Sequence, residues 1–117
     1  MERLKRRQDF VAAARASYAA MPGLTVQARD RGDDGSPRVG FTATKKLGNA
    51  VVRNRVKRRL REIARQHLAA AALPGHDYVL IGRQPAFARA YADLEKDFTS
   101  ALKRLHHPRR PVEKDPS

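Results

Sequence analysis

Four apolar side chains, Val52, Val56, Leu60 and Ile63, recur at intervals of four, four and three residues. That spacing holds them within one narrow arc of an α-helix turning about 100° per residue. The helix is predicted to run over residues 50 to 72, with Pro74 and Gly75 as its stop. Elsewhere the period is two. Leu24, Val26 and Ala28 alternate with polar residues over 24 to 29, and Val39, Phe41 and Ala43 do so over 38 to 44. Residues 30 to 37 between them hold the turn formers Gly32, Asp33, Asp34 and Gly35, so the two runs read as a hairpin. Residues 77 to 82 are apolar almost throughout, which predicts a strand central in the sheet.

Two further helices complete the pattern. Asp9 is placed to cap a short alanine-rich helix within residues 1 to 20, carrying Phe10, Val11 and Ala14 and ended by Met21-Pro22-Gly23. Residues 91 to 105 are amphipathic, with Leu94, Phe98, Ala101, Leu102 and Leu105 on the buried side, and residues 85 to 89 form a connector or short helical turn. The order α-β-β-α-β-α predicts an α+β fold in which a small sheet packs on the long helix. Residues 1–105 make one domain, and the proline-rich, basic stretch 106–117 is expected to be a disordered tail.

Charge changes this picture. Residues 53 to 65 hold seven basic residues and one acid, Glu62, so like charges recur four apart along the helix, each such pair destabilising it by roughly 0.2–0.5 kcal/mol. A merely solvated face would alternate signs. The whole chain carries 25 lysines and arginines against 12 acids, a formal charge of +13 on 117 residues. Such a balance opposes compaction and favours a polyanionic partner. Nucleic acid is the first candidate. A membrane surface is disfavoured, because no run approaches the roughly 18 apolar residues of a span and the helix's apolar arc is aliphatic rather than rich in Trp or Phe. The absence of cysteine leaves no disulfide or thiolate metal site and fits a reducing compartment. A cytoplasmic nucleic-acid-binding protein, with no membrane association and no obligate protein partner, is the expectation.

No catalytic constellation is legible. Protein nucleases converge carboxylates or histidines on a metal or an acid–base couple, whereas Asp30, Asp33 and Asp34 read as turn residues. Asp93, Glu95 and Asp97 read as acids at the favourable end of the last helix. His67 falls on the apolar arc as a hydrogen-bonded residue at the core edge, and His76 stands at a strand entrance. Catalytic and metal-ligating residues are therefore expected to be none.

The stretch from Val39 to Arg58, containing Thr42-Ala43-Thr44-Lys45-Lys46, Gly48-Asn49-Ala50-Val51 and Arg53-Asn54-Arg55-Val56-Lys57-Arg58, continues to Arg61-Glu62. It resembles the signature of the protein component of bacterial ribonuclease P. The composite is far more specific than any short pattern in it, and flanking features agree over residues 3 to 105, including Arg83 after the apolar strand.

The resemblance implies the non-catalytic protein subunit of an endoribonuclease whose active site is RNA. That enzyme removes the 5′ leader of precursor tRNA with Mg²⁺ held mainly by the RNA. The resemblance also implies a left-handed βαβ crossover, against the usual rule. Lys45, Lys46, Asn49, Arg53, Asn54, Arg55, Lys57, Arg58 and Arg61 would then meet the catalytic RNA subunit. Phe10, with Arg6, Arg7 and Arg83, would face the single-stranded leader across a cleft, where base stacking contributes roughly 1–3 kcal/mol per base. The chain departs from the family in having Ala14 in place of a second aromatic, and Thr25 and Gln27 in place of one on the first strand. Composition alone would also allow a small structural RNA-binding protein of ribosomal type. A nuclease active without RNA is disfavoured by the scattered carboxylates.

Overall fold

The three apolar strand segments meet in one sheet, but not in the order their turns suggested. The computed structural model describes residues 1 to 106. In chain order its elements are β1 (Glu2–Arg3), α1 (Arg7–Ala14), β2 (Ser17–Ala20), β3 (Leu24–Asp30), β4 (Arg38–Thr42), α2 (Ala50–Ile63), α3 (Ala69–Ala71), β5 (His76–Gly82) and α4 (Tyr91–His106). A π-helical turn, Ala64–Leu68, joins α2 to α3, and 3-10 turns cover Lys45–Leu47 and Gln84–Phe87. The sheet order is β1-β4-β5-β3-β2.

The expected hairpin of β3 and β4 does not form. β5 lies between them, antiparallel to β3 with Leu80 opposite Val26, and parallel to β4 with Leu80 opposite Phe41. A direct β3–β4 pair would leave the apolar β5 as an edge, where its backbone groups and side chains would face water. The parallel β4–β5 pair needs a long crossover, and α2 supplies it. The true neighbour of β3 in both sequence and space is β2, with Tyr18 opposite Gln27. Residues 17 to 20 were expected to be helical; pairing with β3 overrides the alanine-rich helical preference.

One sheet face carries Leu24, Val26, Val39, Tyr78 and Leu80 against Val56, Leu60, Ile63 and Leu68 of the long helix and Leu94, Phe98 and Ala101 of α4. Burying each large aliphatic side chain here contributes about 1.5–3 kcal/mol. Val52, predicted on the same arc, is only half-buried at the first turn. The π turn alters the arc beyond Ile63. Its wider winding lags the ideal rotation, so Leu68 is buried instead of His67, which sits half-exposed with Nε2 2.8 Å from Glu95 Oε2.

The other face is covered in part by Leu4 and by α1, through Ala13 and the half-buried Phe10, packed near Val79 and Ile81. A Cβ on Gly40 would stand 2.6 Å from the Phe10 ring, so a glycine at this point of β4 lets the ring lie on the sheet. Asp9 does not cap α1. Arg6 occupies the cap position without a side-chain hydrogen bond, and Asp9 pairs instead with Arg29 at 3.6 Å and Arg38 at 3.5 Å.

Asp77 and Asp97 are the buried acids among the described residues. Asp77 accepts hydrogen bonds from Arg31 Nη1 at 2.6 Å and from Arg38 Nε and Nη2 at 2.7 and 2.8 Å. Burial pushes its carboxyl up, but the hydrogen bonds and charges of Arg38 and Arg31 prevail and hold it below the usual carboxylate range. Asp97 was expected only to favour the helix dipole. It accepts from the Gly23 amide at 2.9 Å and from Arg89 Nε at 2.7 Å, tying α4 to the β2–β3 turn. Asp30 and Asp33 are turn residues as expected, accepting from the Gly32 and Gly35 amides at 2.8 Å each. His106, assigned to the tail, ends α4 with Nε2 2.8 Å from the Tyr78 hydroxyl. The tail expectation otherwise falls on residues 107 to 117, outside the described residues.

Candidate nucleic-acid interface

The start of α2 is set by its local sequence. Gly48 takes a φ of 141°, which a side chain rarely adopts, and a Cβ there would meet Val52 at 3.2 Å. Asn49 then caps the helix, its Oδ1 accepting from the Val52 amide at 3.0 Å. The sequence marked Asn49 for RNA; its side chain has this structural task within the fold. Lys45 and Lys46 are exposed on the 3-10 turn just before it.

Asn54, Arg55, Arg58 and Arg61 are exposed along α2, while Arg53 and Lys57 are half-buried on its flanks. The helix thus spreads Asn54, Arg55, Arg58 and Arg61 over the side away from Val56, Leu60 and Ile63, with Arg53 and Lys57 bordering the buried stripe. Among the described residues no carboxylate lies within ion-pair distance of Arg53, Arg55, Lys57, Arg58 or Arg61. Glu62 is engaged by Arg65, whose guanidinium holds that carboxyl below its ordinary range. Arg53 also buries its Nε without a hydrogen-bond partner among the described residues. This concentration of unpaired cations on a rigid helix is suited to phosphate.

Arg59 behaves differently from its neighbours. Its Nη1 donates to the Ala86 and Phe87 carbonyls at 2.9 and 3.0 Å, and its Nη2 to the Arg89 carbonyl at 2.5 Å. It fastens the segment after β5 to the helix. Nothing local marks Arg59 for this, since its partners stand 27 to 30 residues away. Phe87 on that segment is 40% exposed, and the Arg55 guanidinium lies over its ring at 5.4 Å.

The residues expected to face the leader lie across the sheet from α2. Arg6 and Arg7 are exposed at the start of α1, and Phe10 faces Gly40. Arg83 is exposed just beyond β5, its Nη1 donating to the Met21 carbonyl at 2.8 Å. Strand alternation puts Thr25, Gln27 and Ile81 on this face, all half-buried. Tyr18 stands in the same cross-strand row as Gln27, Val79 and Gly40 and is 66% exposed. It was missed because its segment read as helix. Phe10 therefore belongs partly to the core under α1, with the remainder of its surface open.

Among the described residues no helix is long and apolar enough to cross a membrane, and no three His, Asp or Glu side chains converge as metal ligands.

Comparison with known proteins agrees with this geometry. The ribonuclease P family model matches residues 1–106. The ribonuclease P protein component of Ruegeria pomeroyi is 50% identical over 109 residues, covering 91% of this chain and 87% of that protein. That of Caulobacter vibrioides is 51% identical over 102 residues, covering 86% and 68%. The solved RNase P protein of Staphylococcus aureus superposes with a TM-score of 0.74 at 27% identity, covering 90% of this chain and 95% of that one. The RNase P protein from Thermotoga maritima gives 0.72 at 28%, covering 89% and 97%. With the family model matching all of its described residues, and these relatives sharing its sequence and its α+β fold, this chain is a member of the bacterial ribonuclease P protein family, the protein subunit of that ribonucleoprotein.

Proposed function

We propose that the chain acts in the cytoplasm as the non-catalytic subunit of ribonuclease P, binding both the catalytic RNA and the 5′ leader of precursor tRNA while the RNA cleaves. The observation that carries this reading is the row of cations on α2 without a carboxylate partner among the described residues, Arg55, Arg58 and Arg61, with Arg53, Lys57 and the preceding Lys45 and Lys46 beside it. Asn54 shares the exposed side, and Asn49 sets the helix start. These groups meet the catalytic RNA. The leader runs on the opposite sheet face, with Arg6, Arg7 and Arg83 meeting its phosphates and Phe10 offering part of its ring.

The residues of the α2 surface do not fit Mg²⁺. Guanidinium and ammonium groups repel it, Asn49 Oδ1 is committed to the helix cap, and no acidic cluster stands nearby among the described residues. The ion belongs with the RNA phosphates, and the protein's contribution is to neutralise and position the strands.

The test is cleavage of precursor tRNA in Mg²⁺ by the protein alone, by the cognate RNA at low salt, and by both. Mature 5′ ends only where the RNA is present, with more product when the protein is added, are expected. Cleavage by RNA-free protein would refute the reading.

A further inference from the structure

Beside α2, the Gln84–Phe87 turn and the residues after it enclose an open cleft of about 690 Å³, lined by Arg55, Arg58, Arg59, Phe87, Arg89 and Tyr91. Its four guanidinium groups are not equivalent. Arg59 is engaged by the three carbonyls it holds, and Arg89 by both oxygens of Asp97, at 2.7 and 3.1 Å. Arg55 and Arg58 alone among them have no carboxylate or carbonyl partner among the described residues. Phe87 is a large apolar ring left 40% exposed in this charged setting, with Arg55 over one face. Because Arg59 pins the Ala86 and Phe87 carbonyls to the helix, the backbone that carries the ring is held in place before any ligand arrives.

A planar apolar surface flanked by two unpaired guanidiniums matches an unpaired nucleotide, whose base stacks while its phosphate meets the cations. It does not match duplex RNA, whose bases are already stacked, or a free anion, which would leave the ring exposed. We propose that this cleft holds one unpaired nucleotide of the partner RNA, the base against Phe87 and the phosphate between Arg55 and Arg58. The proposal rests on the reading that α2 meets that RNA, and extends the contact from the helix to the turn after β5.

The sequence contains no tryptophan, so Phe87→Trp introduces a single indole emission reporter at the ring position. Titration with cognate catalytic RNA should quench that emission, and a fully paired RNA duplex should not. Phe87→Ala should weaken binding of the catalytic RNA roughly 5- to 150-fold, the stacking of one base. The slope of log affinity against log salt should stay unchanged, because no phosphate contact is lost. Emission unaltered at saturating RNA, equal quenching by duplex, or parental affinity in Phe87→Ala overturns the pocket. Neutralising Arg55, Arg58 and Arg61 in parallel separates the two levels. An unchanged salt slope there removes the α2 reading itself, whereas a shallower slope with no change in the indole emission of Phe87→Trp removes the pocket alone.

Discussion

The sheet and the long helix each gather arginines, yet the two clusters are built in opposite ways. Arg29, Arg31 and Arg38 converge on Asp77, whose side chain is fully buried, and Arg38 also reaches Asp9. Arg55, Arg58 and Arg61 point away from the core and meet no acid among the described residues. In the first cluster the charges are satisfied inside the fold, and removing one partner strands the others. In the second the fold leaves charges unsatisfied, at a cost in repulsion that a polyanion can reverse. Arginine count says nothing about which is which; the position of the acids does.

The largest effect should come from breaking the satisfied cluster. Asp77→Ala leaves Arg31 and Arg38 without their buried partner and should lower stability by about 3–5 kcal/mol, read from urea unfolding. The carboxyl is held below its ordinary range in the folded state, so its stabilisation is present above the unfolded value and is lost as pH falls through the folded one. Parent and Asp77→Asn melting midpoints should therefore differ most at neutral pH and converge below roughly pH 4. A constant gap down to strong acid would contradict the ion-pair account.

Next in size is the unsatisfied cluster. Replacing Arg55, Arg58 and Arg61 with glutamine should leave the melting midpoint at or above that of the parent. The slope of log affinity for the catalytic RNA against log salt should become shallower by about 2 to 3, since each phosphate contact contributes roughly 0.7 to 0.9. A lower midpoint with an unaltered slope would assign these side chains to the fold.

Arg59 sharpens the contrast, because it lies on the binding helix but is satisfied like the sheet arginines. Arg59→Ala should cost about 1–2 kcal/mol, less than a fully buried charged hydrogen-bond set, and loosen residues 84 to 89 in hydrogen exchange. Its salt slope should match the parent. Smallest of all, Glu62→Gln breaks only the exposed pair with Arg65 and should leave the melting midpoint within error; a clear drop would mean that surface pairing matters here.

The long helix, its buried stripe and its cationic side were legible because both are encoded locally, by the spacing of Val56, Leu60 and Ile63 and the absence of acids between Arg53 and Arg61. The Lys45 to Arg61 motif carried the family for the same reason. The central position of β5 was legible from its unbroken apolar run. What was misread, or could not be read at all, depends on pairing between segments. The pairing of β3 with β5, the burial of Asp77 and Asp97 and the task of Arg59 each follow from residues far along the chain, whereas the strand at Ser17–Ala20 follows from backbone pairing with nearby β3, which overrides its helical composition. Sequence by itself determined the helix, its charge and the strand-forming segments, because hydrophobic period and charge are properties of neighbours. Tertiary structure decided which strand lies beside which and which arginines are spent inside the fold, because backbone pairing and ion pairing join groups that the chain separates.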